Sequence, residues 1–409
     1  MKVVHLVTED SGGAGRAARR ISKAERRLGI ESSVLVLDKL TEDPQVEEVY
    51  SSSIKKMLFK TLRKYKQKKI YNINDFYVSE FGIEKSELRK LVKRADIIHI
   101  HWINHSFLSL KSISELSEEV PVVWTMHDMW PFTAGCYYDS ECGGYIYGCE
   151  SCNMNQGIQT NMVHNYFLEK KKLISKKNIT FVGCSNWISQ CASASKITMD
   201  NHICTIPNPI DVNLFFNSDK AEARKRLGIE TDKKIVLYGA LSSNSSKRKG
   251  YEYLRDAIDM LDPEKYCVLI FGNSEDYKAN ELGIEAYALG EIKDDFKLAD
   301  IYNAADVFVA PSKQENLSNA VMESLSCGTP VVAFQIGGMS DMIANHVTGY
   351  LAQPFESGDL AKGIIECADS KSYGANARNY VQDKFSEKIV GNMYIQLYNE
   401  ILDKGVINE

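Results

Sequence analysis

The sequence predicts two α/β domains, each built on a parallel β-sheet with helices covering both of its faces. Short apolar runs alternate with stretches of helical periodicity along the chain, which is typical of strands buried on both sides of a parallel sheet. The 409 residues are enough for two domains of about 200 residues, each with its own core. Two prolines in the segment 206–211 make a stiff connection, so we place the domain boundary there.

The individual elements follow from the spacing of apolar residues. In the first half, amphipathic periodicity predicts a helix at 17–28, and short apolar runs predict strands at 3–8, 33–37, 97–100, 122–125 and 181–183. In the second half, similar runs predict strands at 235–238, 268–271, 307–310 and 331–334. Apolar periodicity over 389–401 predicts a terminal helix. We therefore expect domains at 1–208 and 209–384, followed by a C-terminal segment at 385–409.

The composition is that of an ordinary globular protein, with 44% hydrophobic and 25% charged residues. The net charge of −5 argues against nucleic acid as a partner. The chain opens directly on an apolar run with no secretory leader before it. No apolar stretch approaches the roughly 20 residues that span a bilayer. We therefore expect a cytoplasmic protein.

The most informative stretch is 312–333, where Glu315 and Glu323 lie eight residues apart and a Gly-Thr-Pro-Val-Val segment follows. The buried strand at 307–310 precedes it, and we predict a short loop that carries Glu315 and a helix that starts near Asn316. The free N–H groups of a helix start favour phosphate, and we expect a carboxylate beside them to favour hydroxyls. Eight residues is little more than two helical turns, so the two carboxylates can lie on related faces. This combination suits a sugar nucleotide.

A basic loop follows the first predicted strand of the second half. Its sequence, Ser-Ser-Lys-Arg-Lys-Gly, ends in Arg248, Lys249 and Gly250. Cations beside a turn glycine can bind a diphosphate, so we predict this role for Arg248 and Lys249. The alternative is a charge run that is merely solvated.

Glycines and histidines provide the candidates in the first half. The glycine-rich segment 11–16 is predicted as a loop between the first strand and the first helix; it allows close approach of the backbone to a ligand, although it lacks the spacing of a dinucleotide-binding motif. His127 ends a predicted strand, and a neutral imidazole can donate to a sugar hydroxyl or accept from one. His99 and His101 alternate on one strand and therefore face one side. A metal pair is conceivable there, but we favour packing at the strand end.

Four cysteines lie together in a cysteine-rich insertion at 136–152, namely Cys136, Cys142, Cys149 and Cys152. The last two have the Cys-x2-Cys spacing of a zinc knuckle, whereas the first two are spaced more loosely. Structural zinc, packed free thiols and disulfides all remain open. In a reducing compartment zinc is favoured over disulfides.

The segment 54–70 is strongly basic and has helical periodicity. Its apolar face comprises Ile54, Leu58, Leu62 and Tyr65. Such a helix can lie on an anionic membrane surface, and a second basic cluster occurs at 167–177. We therefore predict peripheral association with the inner face of the membrane, with a solvated helix that covers the domain as the alternative.

The stretch around Glu315 and Glu323, together with Lys249-Gly250, resembles the signature of the retaining GT-B glycosyltransferases of sequence family four, of the type that makes polysaccharides. The resemblance covers nearly the whole chain. It implies two Rossmann-like, doubly wound domains that face an interdomain cleft, with the segment 385–409 returning to the first domain. The insertion at 136–152 resembles one found in a branch of these enzymes, which implies a place on the acceptor side.

The resemblance also implies a role for each candidate. His127, Glu315 and Lys249 are expected to be catalytic, with His127 contacting the transferred sugar. The expected donor-binding set is Gly13, Arg248, Lys249, Ile292, Glu315, Asn316, Leu317, Ser318 and Glu323, with Ile292 beside the base and Glu323 at the ribose. The expected acceptor-side set is Gly12, Gly13 and Arg16. The family usually has an arginine upstream of Lys-Gly, but Leu241, Ser242, Ser243 and Asn244 occupy that place here, so Arg248 is the candidate substitute.

We therefore expect a retaining hexosyltransferase that moves a sugar from a UDP- or GDP-sugar to a glycan or lipid-linked acceptor. Capsule or lipopolysaccharide biosynthesis is the expected setting. No Asp-x-Asp motif stands at a convincing strand end, so we expect no catalytic metal. One alternative is a nucleotide-sugar 2-epimerase of the same fold, which needs no acceptor. Another is a non-catalytic accessory subunit, against which the intact Glu315, Glu323 and Lys249 argue.

Overall fold

The computed structural model describes residues 1–50, 52–67, 72–73, 76–78, 81–83, 85–150, 152, 160–240, 246–272 and 282–407. The chain divides into two compact units. Unit 1 comprises Met1–Pro209 and Val390–Glu409, and unit 2 comprises Ile210–Ile389.

Unit 1 is built on nine strands and seven helices in its described N-terminal part. The strands are β1 (Lys2–Glu9), β2 (Glu31–Asp38), β3 (Val46–Glu48), β4 (Asn72–Ile73), β5 (Phe76–Tyr77), β6 (Ile97–Ile100), β7 (Val122–Met126), β8 (Ile179–Gly183) and β9 (Ile203–Thr205). The helices are α1 (Gly12–Arg27), α2 (Ser53–Gln67), α3 (Lys85–Leu91), α4 (Leu110–Leu116), α5 (Gly144–Tyr147), α6 (Thr160–Ile174) and α7 (Asn186–Ala194), and a 3₁₀ turn covers Trp130–Phe132.

Unit 2 continues the same alternation of strands and helices. Its strands are β10 (Lys234–Ala240), β11 (Tyr266–Gly272), β12 (Ala286–Ala288), β13 (Val307–Ala310), β14 (Val331–Phe334) and β15 (Gly349–Ala352). Its helices are α8 (Lys220–Leu227), α9 (Ser246–Lys249), α10 (Tyr251–Ile258), α11 (Asp295–Ala304), α12 (Asn319–Ser326), α13 (Met339–Met342), α14 (Ser357–Asp369) and α15 (Tyr373–Phe385). The last helix, α16 (Glu387–Ile407), begins in unit 2 and continues in unit 1.

The main sheet of unit 1 has seven parallel strands in the order β3-β2-β1-β6-β7-β8-β9. Both of its faces are buried. Successive residues of a strand point to opposite sides of the sheet, and here each side packs in an apolar cluster of its own. On one face Val4 belongs to the largest apolar cluster of this unit. On the other, Val3 packs in a cluster with Val390 and Tyr394 of α16.

The sheet of unit 2 has six parallel strands in the order β12-β11-β10-β13-β14-β15. Its strand β13 lies between β10 and β14, so the loops that follow β10 and β13 leave the same edge of the sheet side by side. The predicted α/β class with two parallel sheets is therefore confirmed. The short strands β3, β4, β5, β9, β12 and β15 were not predicted, because they lack the continuous run of Val, Ile or Phe that marks the equally short β6, β13 and β14.

The glycine-rich segment 11–16 is mainly helical, which corrects its prediction as a loop. Helix α1 starts at Gly12, where φ is +68°. A Cβ on Gly15 would lie 2.4 Å from the carbonyl oxygen of Glu9. The glycine therefore lets the first turn of the helix pack directly on the end of β1.

None of the helices within the described residues is both long enough and apolar enough to cross a membrane.

Candidate functional site

The predicted carboxylate and the predicted cations of unit 2 meet at the edge where β10 and β13 end. The Nζ of Lys249 lies 2.7 Å from Oε2 of Glu315, and a guanidinium nitrogen of Arg248 lies 3.8 Å from the same oxygen. Arg248 also donates to the backbone oxygen of Gln314 at 2.7 Å. The backbone N–H of Lys313 donates to the carbonyl of Arg248 at 2.8 Å, which ties helix α9 to the segment after β13. The basic segment predicted as a loop is thus helical at Ser246–Lys249.

Glu315 is a buried carboxylate with two cationic neighbours. Burial alone would raise its pKa, but Lys249, Arg248 and the backbone N–H of Asn316 together hold the pKa below its usual value. Glu315 therefore stays ionised at neutral pH. Because its pKa is lowered, the ion pair stabilises the fold above the ordinary glutamate pKa, and this contribution is lost as the pH falls through the lowered value.

Gly250 explains why a glycine follows Lys249. Its φ is +68°, and a Cβ at this position would lie 2.0 Å from the carbonyl oxygen of Pro311. Pro311 directly follows β13, so the absence of a side chain allows the two loops to touch. This contact sets the distance between Lys249 and Glu315.

Helix α12 begins at Asn319, three residues later than the start near Asn316 that the sequence suggested. Asn316 and Leu317 are buried in the preceding loop, and Ser318 is the N-cap, whose side chain makes no capping hydrogen bond. Glu315 therefore lies outside the helix, and the argument from two helical turns does not apply to it.

Glu323 lies in α12 and is 2% exposed. The hydroxyl of Tyr302 in α11 donates to its Oε2 at 3.2 Å. Ile292 lies between β12 and α11 and is half-buried. The positions 241–244, where the family usually has an arginine, lie outside the described residues.

The acceptor-side candidates of unit 1 lie at the start of α1. Gly12 and Gly13 are exposed in its first turn, and Arg16 is half-buried one turn further on. Ser11 is the N-cap and makes no side-chain capping bond.

His127 follows β7 and is partly exposed. Its Nε2 lies 3.0 Å from Nδ1 of His101, and its Nδ1 lies 3.6 Å from Sγ of Cys184. Desolvation lowers the pKa of His127 to about 4, so the ring is neutral at physiological pH.

The structure adds partners that sequence reasoning missed. His5 of β1 and Glu25 of α1 are both fully buried and lie 2.8 Å apart. His5 is the register partner of His99, and its ring also lies within 3.0 Å of the ring of His101. His99 and His101 face one side of the sheet as predicted. A signal for His5 existed, since a histidine within an otherwise apolar strand must have a buried polar partner.

The four cysteines are near one another but do not form a tetrahedral site. Sγ of Cys142 and Sγ of Cys149 both lie 3.4 Å from the point where a Cβ on Gly144 would stand. Among the described residues, the only three potential ligands within 4.8 Å of one another are His5, His99 and His101. Burial raises the pKa of the Cys136 thiol, and that of Cys149 to about 11. Structural zinc and packed thiols both remain open, and elemental analysis of the purified protein decides between them.

Helix α2 covers most of the basic segment 54–70, and residues 68–70 lie outside the described part of the chain. Five of its large apolar side chains are exposed by 51% to 68%, whereas Phe59 is buried; the five are Ile54, Met57, Leu58, Leu62 and Tyr65. Its cations largely pair with carboxylates of the same unit: Lys56 with Glu48, Lys60 and Arg63 with Asp38, and Lys55 with Glu87. The exposed face is therefore more apolar and less basic than the sequence suggested.

The second basic cluster, 167–177, does not form one exposed face. Lys170 is 1% exposed, donates to the backbone oxygen of Trp130 at 2.7 Å and lies over its ring. Burial lowers the pKa of Lys170 to about 7. Lys177 pairs with Glu118.

Two parallel-sheet units, with a cationic pair and a buried carboxylate at the strand ends of the second, are the arrangement that sequence profiles can now assign to a family. The sequence profile described as Glycosyl transferases group 1 matches residues 219–384, and that described as Glycosyltransferase Family 4 matches residues 11–214. The chain therefore belongs to the group 1 glycosyltransferases of family 4. The alternative of a nucleotide-sugar 2-epimerase is not supported.

Two similar proteins share about a quarter of their aligned residues or fewer with this chain. The N-acetyl-alpha-D-glucosaminyl L-malate synthase of Bacillus anthracis is 22% identical over 319 residues, which cover 75% of each chain. The N,N'-diacetylbacillosaminyl-diphospho-undecaprenol alpha-1,3-N-acetylgalactosaminyltransferase of Campylobacter jejuni is 25% identical over 271 residues, which cover 63% of this chain and 70% of the relative. The structure of Anabaena HepE in complex with UDP is 19% identical, with a TM-score of 0.65 over 98% of this chain and 100% of that one. This likeness shows the GT-B fold.

Proposed function

We propose that this glycosyltransferase moves a hexose from a UDP- or GDP-sugar to a glycan or lipid-linked acceptor, with retention of the anomeric configuration. The observation that carries the proposal is the contact of Lys249 and Arg248 with the buried carboxylate of Glu315. It places two cations and one carboxylate at the strand ends where an α/β sheet binds its ligand.

The two cations fit the leaving group. As the bond from the anomeric carbon to the diphosphate breaks, negative charge develops on the diphosphate oxygens and positive charge on the sugar ring. Arg248 and Lys249 neutralise the diphosphate, and the N–H groups at the start of α12 assist them. These cations supply the charge that a metal ion would otherwise supply, and we therefore propose a metal-independent reaction.

Glu315 fits the transferred sugar. It is ionised, so its second oxygen can accept hydrogen bonds from sugar hydroxyls while Lys249 holds the first. Lys249 thus connects the sugar-binding carboxylate with the diphosphate. We assign the ribose to Glu323 and the base to the backbone around Ile292.

The remaining assignments follow the family pattern. His127 contacts the transferred sugar, and the acceptor lies near Gly12, Gly13 and Arg16. Gly13 also approaches the donor phosphates, and Asn316, Leu317 and Ser318 complete the donor site. The undecaprenol in the name of the Campylobacter relative supports a lipid-linked acceptor, as in capsule or lipopolysaccharide synthesis.

A panel of nucleotide sugars tests the proposal. We expect one UDP- or GDP-sugar to raise the melting temperature of the protein and to be turned over in the presence of EDTA, with product anomers of retained configuration by NMR. Glu315→Gln should keep nucleotide affinity and lose most of the turnover, because its contacts tighten as the sugar moves. Turnover that requires a divalent cation, or wild-type turnover of Glu315→Gln, would contradict the assignment.

We further propose a cytoplasmic location with peripheral membrane contact through α2. Five large apolar side chains on one helix face are exposed, and the exposed cations Lys55 and Lys64 flank them. A surface of this kind fits the headgroup boundary of an anionic membrane, where it would also meet a lipid-linked acceptor.

The double variant Leu58→Gln/Leu62→Gln should bind anionic vesicles at least about 100-fold more weakly than the wild type, since burying each leucine gains about 1.5–3 kcal/mol. Sedimentation with vesicles measures this, and Met199→Gln, at another exposed apolar residue of unit 1, is the matched control. Activity on a short soluble acceptor should be retained. Equal binding of the double variant and the wild type would show that α2 is only a solvated cover.

A further inference from the structure

A continuous chain of buried hydrogen bonds connects Glu25 with His127 in unit 1. Oε2 of Glu25 lies 2.8 Å from Nε2 of His5. Nδ1 of His5 lies 3.0 Å from Nε2 of His101, and Nδ1 of His101 lies 3.0 Å from Nε2 of His127. Glu25, His5 and His101 are at most 1% exposed. The four groups come from α1, β1 and the ends of β6 and β7, so the sheet itself sets their spacing.

The direction of these hydrogen bonds starts at Glu25. The hydroxyl of Tyr398 in α16 donates to its Oε1 at 2.7 Å, and the hydroxyl of Ser32 donates to its Oε2 at 2.7 Å. Both carboxyl oxygens of Glu25 thus accept hydrogen bonds. This is the arrangement of an ionised carboxylate, which has no proton to donate. The third neighbour, Nε2 of His5, must therefore carry a proton. Arg26 supplies a nearby positive charge through the hydroxyls of Ser22 and Ser32.

The position of the proton on Nε2 of His5 then determines which nitrogen is protonated in each of the following rings. A neutral imidazole has one donor nitrogen and one acceptor nitrogen. With its proton on Nε2, His5 accepts at Nδ1, so Nε2 of His101 is the donor. His101 then accepts at Nδ1, so Nε2 of His127 is the donor. Burial and neighbouring histidines hold the pKa of His101 well below its usual value, which keeps the ring neutral.

We infer that Glu25, acting through His5 and His101, holds His127 in the neutral tautomer with its proton on Nε2 and its lone pair on Nδ1. Glu25, His5 and His101 are thus positioning residues for His127. The thiol of Cys184, whose Sγ lies 3.6 Å from Nδ1 of His127, can donate to that lone pair. The role of His127 in sugar transfer rests on the proposed function, whereas the tautomer does not.

A metal site is the other use for such a cluster, since His5, His99 and His101 satisfy the distances for three ligands. However, His99 already contacts Tyr398 through Nδ1 and Thr125 through Nε2, both at 2.7 Å. Every ring nitrogen of the three histidines thus has a hydrogen-bonding neighbour within the unit. The hydrogen-bonded chain accounts for the cluster without an ion. For this reason we infer a relay, by which we mean that Glu25 fixes the tautomer of His127 through His5 and His101.

Nitrogen-15 NMR of histidine-labelled wild-type protein tests the inference directly, because protonated and unprotonated ring nitrogens differ strongly in chemical shift. We expect His5, His101 and His127 each to be protonated on Nε2 and unprotonated on Nδ1. A proton on Nδ1 of His127 would overturn the inference. A cationic His5 would also overturn it, because Nδ1 of His5 would then donate to His101 and reverse the direction of the following hydrogen bonds. Ring shifts that change on removal of a bound metal by a chelator would also overturn it.

Glu25→Gln separates positioning from mere structure. The amide can donate to His5, so we expect the protonation pattern of His127 to change and kcat to fall by about 10- to 100-fold, as for other residues that orient a histidine. The donor KM should stay unchanged. His202→Gln, at an exposed histidine of unit 1, is the control that should alter neither the tautomer nor the turnover. An unchanged His127 tautomer in Glu25→Gln would overturn the relay.

Loss of the relay and loss of the proposed function can be told apart. If His127→Gln shows wild-type turnover, the role of His127 in transfer fails, while the tautomer measured in the wild type still decides on the relay. If Glu25→Gln does not fold, the inference is tested by the wild-type spectrum and by Tyr398→Phe. This variant removes one hydrogen-bond donor from Glu25. Tyr398→Phe should preserve the Nε2–H tautomer because two donors remain at the carboxylate; a switch to Nδ1–H would contradict the inferred direction.

Discussion

Lys249→Ala is expected to weaken nucleotide binding and reduce kcat/KM about 10- to 150-fold, because one charge-assisted contact to a diphosphate contributes about 1.5–3 kcal/mol. The substitution also leaves the buried carboxylate of Glu315 with Arg248 as its remaining side-chain cation, at 3.8 Å. Loss of a partner from a pair this deeply placed destabilises the fold as well. Calorimetric titration with UDP and GDP, together with steady-state kinetics, measures both effects.

Lys313→Ala is the matched control for this prediction. Lys313 lies in the same loop as Glu315 and pairs with Glu252, and both side chains are partly exposed. Removing an exposed pair of this kind changes stability by only about 0–1 kcal/mol. Nucleotide affinity that is the same in Lys249→Ala and in Lys313→Ala would mean that Lys249 does not hold the leaving group.

Gly250→Ala is expected to be the most damaging single-methyl change near the site. The positive φ costs an alanine about 1–3 kcal/mol, and overpacking adds about 1–3 kcal/mol, so we expect a total destabilisation of about 2–6 kcal/mol. The new Cβ would meet the carbonyl oxygen of Pro311 and force apart the loops that carry Lys249 and Glu315. Chemical denaturation measures the stability, and nucleotide titration measures the displacement of the loops.

Gly358→Ala provides the comparison, because a Cβ at Gly358 meets nothing within 4 Å and its φ is not positive. We expect it to be neutral or slightly stabilising in helix α14, since alanine is the better helix former. If Gly250→Ala were as stable as Gly358→Ala and bound nucleotide normally, the loop contact would have no role in setting the site.

The sequence alone predicted the two sheets and selected Lys249, Arg248 and Glu315 as candidates, but the ion pair between Lys249 and Glu315 was not predicted. Buried strands show as apolar runs, and parallel topology brings the segments after β10 and β13 to one edge. The start of α12 was three residues off, because Asn316 and Ser318 are both acceptable N-caps and local sequence does not select between them. Local patterns thus predicted the sheets better than the residue at which this helix begins.

Features that depend on distant partners escaped prediction. The helical period of α2 was evident, but the pairing of Lys60 and Arg63 with Asp38 was not, so its exposed face seemed more basic than it is. The link from Glu25 to His127 joins residues of α1, β1, β6 and β7. Each histidine taken alone resembles an ordinary polar residue, and only the register of the sheet shows that they form one chain.

The return of α16 to unit 1 has a consequence for how the protein is made. Tyr398 contacts Glu25 across 373 positions of sequence, whereas unit 2 is one uninterrupted segment. During synthesis, unit 2 can be completed and fold while the histidines and Glu25 of unit 1 still lack the helix that covers them. The half that emerges first from the ribosome is therefore the last to be finished. Until the segment from Val390 onward has been translated, Glu25 and the neighbouring histidines remain exposed on an otherwise apolar surface of unit 1, where a chaperone could bind.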